Sequence, residues 1–191
     1  MIVGDPTILA VESRITEAYE RPSLRALGFF LIHVGGLCYG IRSTDSTMLA
    51  NSFDEVRNRI AMRGGHVVPF AGETDAGRIA DAFRNAIYGE EQTETYFGLS
   101  LPQFREMTYS KRIVWAPDGD AAFDDGSYVL QFDVEDRVRV IAFKSAPGQP
   151  YVPATLRDIY LAANDFYGLL QKWHDVFENE WASLPKASSS S

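Results

Sequence analysis

Seven carboxylates lie close together in the chain, between Asp118 and Asp136. The stretch from Ile113 to Asp136 contains no lysine or arginine, so it supplies −7 of the net charge of −8. A surface of one sign attracts metal ions and basic proteins, and it repels nucleic acid. The chemistry that this segment offers is therefore cation binding or the docking of a basic partner. The seven residues are Asp118, Asp120, Asp124, Asp125, Asp133, Glu135 and Asp136.

Aromatic side chains are interleaved with these carboxylates, whereas a disordered acidic tail would contain few of them. Two interpretations follow: the segment is the solvated rim of a hairpin, or it is a docking surface in which Trp115 or Tyr128 anchors a basic partner. For the docking surface, the predicted contact residues are Trp115, Asp118, Asp120, Asp124, Asp125, Tyr128, Glu135 and Asp136.

The same segment superficially resembles a calcium-binding loop. If the loop starts at Asp118, its fifth, sixth and twelfth positions are Ala122, Phe123 and Val129. An EF-hand needs an oxygen ligand, a glycine and a bidentate glutamate at those positions, so this class of site is excluded. Looser cation binding by the aspartates from Asp118 to Asp125 stays an alternative, but no metal ligand set or cofactor site is predicted.

One pair of residues has the types needed for nucleophilic catalysis. A two-residue turn at Gly35-Gly36 would place His33 opposite Cys38, close enough for a thiolate–imidazole dyad. The neighbouring residues are apolar, and an apolar environment raises the pKa of a thiol and lowers its reactivity. The pair is therefore interpreted as packed in the core, and no catalytic residue is predicted.

Other chemistry has weaker support. His66 and His174 lie far from each other and from the single cysteine, which gives no zinc-binding spacing, and no phosphate-binding glycine motif occurs. The only local cluster of basic residues, Arg57, Arg59 and Arg63, is interpreted as a solvated helix face. Nucleic-acid binding is not expected of a chain with this net charge.

Length and composition are typical of one soluble domain, predicted at residues 1–186 with a disordered tail at 187–191. The N-terminus has neither a basic region nor a long apolar run, so neither a signal peptide nor a membrane span is predicted. The single cysteine excludes an internal disulfide and suits a reducing cytoplasm. The sequence makes no prediction about the oligomeric state.

Several strands are predicted around two hairpins. Ile8–Ile15 is predicted as a strand, with a short helix extending to Tyr19 as the alternative. Leu27–Val34 and Leu37–Arg42 form the first hairpin around the paired glycines, and both strands are apolar. Shorter strands are expected at Arg112–Trp115 and Leu156–Ala162.

The second predicted hairpin runs from Gly126 to Phe143. A three-residue loop after Asp133 would place Asp133 opposite Arg137 and Phe132 opposite Val138, whereas a two-residue loop would place Phe132 opposite Arg139. The three-residue loop is preferred because it pairs opposite charges and keeps apolar residues together.

Three helices complete the prediction. A capping box at Ser52 and Glu55 begins the first helix, Thr74 or Asp75 caps the second, and the residues from Glu90 to Gln103 are expected to form a loop. The last helix, from Asp165 to Trp181, has an apolar stripe and covers the sheet. Without regular βαβ alternation, these elements predict an α+β fold in which both hairpins belong to one antiparallel sheet.

Several segments of the chain resemble immunity proteins of bacterial polymorphic toxin systems, in the family numbered forty-two. The resemblance spans nearly the whole chain, and its longest segment includes most of the carboxylates. It is carried by Met1–Asp5, Arg25–Gly36, Ser52–Val56, Asp75–Phe83, Trp115–Asp133, Asp165–Gly168 and Lys172–Asp175.

This resemblance implies a cytoplasmic antitoxin that binds a cognate toxin domain, and it implies no catalytic residue. Many toxin domains act on nucleic acid through a basic cleft, which an acidic surface with aromatic neighbours would complement. Two alternatives remain: a small-molecule or metal-binding regulatory protein, and a hydrolase that uses His33 and Cys38.

Overall fold

The computed structural model describes residues 1–89, 93–115, 121–146 and 151–187. Within them the chain forms antiparallel strands and four helices, which confirms the predicted α+β class. The strands are β1 (Ile2–Asp5), β2 (Leu9–Tyr19), β3 (Ala26–Val34), β4 (Leu37–Tyr39), β5 (Thr47–Met48), β6 (Thr95–Tyr96), β7 (Leu99–Ser100), β8 (Ser127–Val134), β9 (Arg137–Lys144), β10 (Arg157–Ala162) and β11 (Lys186–Ala187). The helices are α1 (Leu49–Ala61), α2 (Ala76–Tyr88), α3 (Leu101–Ser110) and α4 (Ala163–Ser183).

The larger sheet has the order β1-β2-β3-β4, with β5 beside β3 and β11 parallel to β2. Its predicted hairpin is confirmed, since Gly35 and Gly36 have φ angles of +54° and +82° and His33 lies opposite Cys38. The first predicted strand is also confirmed and continues as β2 to Tyr19, so the helical alternative is wrong. Ala187 pairs with Tyr19 in β11, and the other four residues of the predicted tail lie outside the described ranges.

A separate sheet has the order β10-β9-β8, so the prediction that both hairpins share one sheet is wrong. Its turn contains only Glu135 and Asp136, with Glu135 at φ +55°, and Phe132 therefore lies opposite Arg139. The preferred three-residue loop was wrong because β8 and β9 are buried on both faces. An apolar residue is accommodated on either side of these strands, and Arg139 has its own buried partners.

The helices depart from prediction mainly at their ends. Helix α1 begins at Leu49, so Ser52 is buried inside it and does not cap it. Asp75 caps α2 as predicted, accepting hydrogen bonds from two backbone N–H groups. The expected loop is wrong over its described part, because β6, β7 and the start of α3 occupy it. Ser100 and Gln103 form the capping box of α3, which is a signal present in the sequence.

Two apolar clusters lie on opposite faces of the β10-β9-β8 sheet. One fills the space between this sheet, the larger sheet, α1 and α4, and the other lies beneath α2 and α3. The predicted stripe of α4 faces the first cluster, where Trp173 stacks on Phe177 and meets the ring of Phe30 edge-on. The small sheet thus lies between the two clusters, and among the described residues its ends and the outer strand β10 reach the surface.

Candidate functional site

The predicted acidic surface is divided by the structure. Asp118 and Asp120 lie outside the described residues. Asp124 is exposed just before β8, and half-buried Asp125 accepts a hydrogen bond from Ser127 N and pairs with Lys144. Glu135 and Asp136 are exposed in the turn at the other end of the strand.

Strand length separates these two groups of carboxylates. The eight residues of β8 span about 25 Å at a rise of about 3.3 Å per residue. Between the ends, the side chains from Val129 to Asp133 are all buried. The predicted contact residues therefore form two surfaces: a strand-start patch (Asp124, Asp125 and Tyr128) and a turn patch centred on Glu135 and Asp136.

Trp115 does not lie on either surface, which corrects its expected role as an exposed anchor. The residue is only 4% exposed, and its ring lies 4.4 Å from the guanidinium carbon of Arg59. Asp133 is buried as well, where it accepts hydrogen bonds from His66 N and from the Tyr167 hydroxyl. Both residues belong to the core because each contacts a buried polar group: Trp115 contacts Arg59, and Asp133 contacts Tyr167.

Tyr128 is half-buried in a group of aromatic rings beside α2. Its hydroxyl accepts a hydrogen bond of 2.7 Å from Arg84 Nη1, and its ring stacks on Phe143 at 5.4 Å. The ring of Tyr88, which is more exposed, lies 5.8 Å away. The strand-start patch thus has aromatic neighbours, but its tyrosine hydroxyl and one of its carboxylates already have partners.

Exposed apolar side chains flank the turn patch. The bond from Asp133 N to His66 O places Val67, which is 53% exposed, beside the end of β8. On the other side, the Tyr160 ring is 39% exposed and lies 4.7 Å from the guanidinium of Arg137. The Glu135 and Asp136 carboxylates form no ion pair with any described residue.

The start of α4 also belongs to the turn patch, because Ala163 N donates to Asp136 O at 2.8 Å. This places the first turn of α4, with exposed Asp165, beside the acidic turn. The complete turn patch comprises Val67, Glu135, Asp136, Arg137, Tyr160 and Asp165.

A buried polar network was missed by the sequence analysis. Arg59 is fully buried, which overturns its interpretation as part of a solvated helix face. Its guanidinium donates to Gln131 Oε1 and Val114 O, and its Nε lies 2.8 Å from a Glu55 oxygen. Burial lowers the pKa of Arg59 to about 10, so the group remains charged at neutral pH. The sequence contained a signal for this burial in the helical spacing. Arg59 lies two turns after Ser52 and one turn after Val56, and both of these residues are buried.

The network continues from Gln131, whose amide donates to the Tyr167 hydroxyl, which in turn donates to Asp133. It therefore connects α1, β8 and α4 inside the core. Such a network fixes the packing of these elements and is inaccessible to a partner.

His33 and Cys38 lie opposite each other, but the ring nitrogen of His33 is bound to Glu12 at 2.8 Å. The Glu12 carboxylate also accepts hydrogen bonds from both terminal nitrogens of Arg42. Burial raises the pKa of the Cys38 thiol, which keeps it protonated. One ring nitrogen of the His33 imidazole is thus held by a carboxylate, and no hydrogen bond joins this ring to the Cys38 thiol in the described structure. The carboxylate of Glu12 also forms an ion pair with Arg42.

No group of three or more His, Cys, Asp or Glu side chains within the described ranges is placed to hold a metal ion. The alternative of loose cation binding involves Asp118 and Asp120, which lie outside those ranges. Within the same ranges, no helix has the length and apolar character needed to cross a membrane.

Comparison with known proteins identifies the family. The family model of immunity protein 42 matches residues 1–176. The chain belongs to the immunity protein 42 family. Membership of this family supports a toxin-neutralising function, since immunity proteins bind cognate toxins. No curated protein matches the chain significantly.

A solved structure shares the fold of this immunity protein. The crystal structure of CdiI from Burkholderia dolosa AUO158 superposes with a TM-score of 0.53, covering 94% of this chain and 99% of that one. The two sequences are 16% identical, so this likeness concerns the fold alone.

Proposed function

We propose that this immunity protein neutralises its toxin by binding the toxin domain directly in the cytoplasm, without catalysing a reaction. The observation that carries the proposal is the family match over residues 1–176. The non-enzymatic role is supported by the raised pKa of the Cys38 thiol, which keeps this candidate nucleophile protonated at neutral pH.

We further propose that the turn patch contacts the toxin and that the toxin surface is basic. Glu135 and Asp136 have no cationic partner among the described residues, whereas Asp125 in the strand-start patch is paired with Lys144. Unpaired exposed carboxylates steer a basic partner, and the neighbouring Val67 and Tyr160 offer apolar surface for a close contact.

The strand-start patch is the second candidate. Its aromatic neighbours, with a tyrosine and an arginine in direct contact, have the composition typical of binding hot spots. Asp118 and Asp120 precede it in the sequence and lie outside the described residues.

Charge reversal at each patch separates these candidates. Glu135→Lys with Asp136→Lys should slow association with the toxin domain encoded beside the immunity gene, most strongly at low salt, and should weaken protection of cells. The matched variant Asp118→Lys with Asp124→Lys, which changes the net charge by the same amount, should leave both unchanged. The reverse result would assign the interface to the strand-start patch. Unchanged binding by both folded variants would reject an acidic interface altogether.

A further inference from the structure

One edge of the β10-β9-β8 sheet is closed by hydrogen bonds from the rest of the chain. In an antiparallel sheet, alternate residues of a strand direct their N–H and C=O groups to opposite sides. Four residues of β8 face away from β9. The N–H of Ser127 donates to the Asp125 side chain, and each of the other three residues has a backbone partner. The bonds run from Trp115 N to Val129 O at 2.9 Å, from Gln131 N to Ile113 O at 2.9 Å and from Asp133 N to His66 O at 2.8 Å.

The same alternation identifies the groups of β10 that face away from the sheet. The odd-numbered residues of β8 direct their backbone groups away from β9, so its even-numbered residues bond to β9. Phe132 lies opposite Arg139, and the residues of β9 that bond to β8 are therefore odd-numbered. The even-numbered residues of β9 are left to bond with β10, so Val140 exchanges bonds with Ile159. The bond from Ala163 N to Asp136 O continues this pattern. Asp158, Tyr160 and Ala162 therefore direct their backbone groups away from β9.

This outer edge of β10 is open in the described structure. Asp158, Tyr160 and Ala162 are all exposed, and no described residue bonds to their outward N–H groups. All six residues of β10 pair regularly with β9, with no bulge and no proline in the strand. Natural proteins usually protect such edges with short strands, bulges, prolines or covering segments.

The outer strands of the larger sheet show such protection. β1 has four residues, with Gly4 at a φ angle of +105°, and it is followed directly by Pro6. β4 has only three residues. Among the described strands, a long, regular and exposed edge is thus particular to β10, and it borders the turn patch through Tyr160 and Arg137.

We propose that an extended segment of the toxin adds to the open edge of β10 as a fourth strand. This inference rests on the proposed function and specifies how the partner is held. Backbone hydrogen bonds to Asp158, Tyr160 and Ala162 would supply a common docking frame. Glu135, Asp136 and Asp165 of the adjoining turn patch would select a segment that carries basic residues.

Side chains along the edge further define the partner. The Tyr160 ring is held by the guanidinium groups of Arg137 and Arg139, at 4.7 and 5.3 Å, so it presents a fixed aromatic surface to a neighbouring strand. Half-buried Ile159 and Leu161 point to the opposite face. The partner segment should therefore place apolar residues beside β10 and basic residues at the end near the turn. A second copy of this chain fits less well, because both copies carry a net charge of −8.

Ala162→Pro tests the edge with little disturbance of the fold. Ala162 has φ −61° and ψ 138°, which suits proline, and its N–H faces outward. The variant removes one backbone N–H that would donate to the partner strand, and the proline ring would obstruct that strand. It should therefore weaken binding about tenfold or more, measured with an inactivated form of the toxin domain encoded by the neighbouring gene. Ala162→Ser keeps the N–H and should bind like the wild type. Circular dichroism and thermal unfolding check that both variants fold.

Amide hydrogen exchange of the wild-type protein gives a second measurement. In the free protein, the amides of Asp158, Tyr160 and Ala162 should exchange faster than those of Ile159 and Leu161, which bond to β9. Addition of the toxin domain should slow exchange at the three outward amides. If the proline variant fails to fold, this measurement decides alone.

The outcomes separate this inference from the proposed function. A wild-type protein that binds the toxin without protecting these amides, and a folded proline variant with unchanged affinity, would overturn the strand addition and leave the proposed function intact. A wild-type protein that does not bind the toxin domain would overturn both. A free dimer with the same amides protected would assign the edge to a second copy and reject the toxin as its occupant.

Discussion

Arg59 shows how one buried side chain connects distant parts of this chain. Its guanidinium bonds to Gln131 in β8 and to the carbonyl of Val114, and it lies against the Trp115 ring. A buried charge is stable only while its partners are in place. Arg59 therefore fixes the segment that closes the β8 edge, and it does so from α1, without reaching the surface.

Replacing Arg59 by leucine should lower the free energy of unfolding by about 3–5 kcal/mol, since the change leaves buried acceptors without a donor. Arg57 provides the matched control, because its ion pair with Asp54 on the same helix is exposed. Arg57→Leu should change the stability by less than about 1 kcal/mol. Urea denaturation of both variants measures the difference. Similar values for the two would show that the network contributes nothing to stability.

At the scale of elements, the sequence predicted a turn or a helix start correctly where a single residue type determines the local backbone geometry. Gly35 and Gly36 allow the positive φ angles of the first turn, and the Asp75 side chain caps α2. The second hairpin differs, because a strand buried on both faces gives no alternation from which to choose a register. The placement of Phe132 opposite Arg139 depends on partners elsewhere in the chain.

The candidate site was less predictable than the fold. Its residue types were recognised, but sequence proximity did not reveal that β8 would separate Asp124 and Asp125 from Glu135 and Asp136. Trp115 was misplaced for a related reason, since its buried partner Arg59 lies far away in the sequence. Tyr160 and the open edge of β10 were not recognised at all, because an edge is defined only by the strands around it.

Helix α4 covers the core through one apolar stripe, and Trp173 is at the centre of it. The side chain is fully buried and stacks on Phe177, and its ring N–H donates to Ser13 Oγ at 3.1 Å. Trp173→Ala should therefore destabilise the protein by about 3–5 kcal/mol through the cavity that it leaves. Val176→Ala, on the exposed side of α4, should cost less than about 0.5 kcal/mol. Thermal unfolding compares the stability of the two variants. Equal losses of stability would show that α4 does not cover the core.

At the scale of the whole molecule, two effects of pH oppose each other. Lowering the pH toward the isoelectric point of about 4.9 reduces repulsion between the acidic residues. Burial, with the charge of Arg59 nearby, lowers the pKa of His66 below its ordinary value of 6.5. Burial alone would raise the pKa of Glu12, but its bonds to Arg42 and His33 outweigh this and lower it below 4.5.

Both lowered pKa values make the folded state bind fewer protons than the unfolded state. The contribution of His66 is present above pH 6.5 and is lost as the pH falls below that value. The contribution of Glu12 is present above pH 4.5 and is lost as the pH falls through its lowered pKa. Maximum stability is therefore expected above pH 6.5, well away from the isoelectric point.

Glu12→Gln isolates the lower of these two transitions. The variant should be less stable than the wild type at neutral pH, and the gap should narrow as the pH falls below 4.5, since the wild-type carboxylate then becomes protonated. The loss of stability that begins as the pH falls below 6.5 should persist in the variant, because His66 is unchanged. Glu20→Gln, at an exposed position just after β2, should give a curve parallel to the wild type. Urea denaturation from pH 3.5 to 8 measures all three curves. A gap between wild type and Glu12→Gln that stays constant across this range would show that the Arg42 and His33 contacts do not stabilise the Glu12 carboxylate.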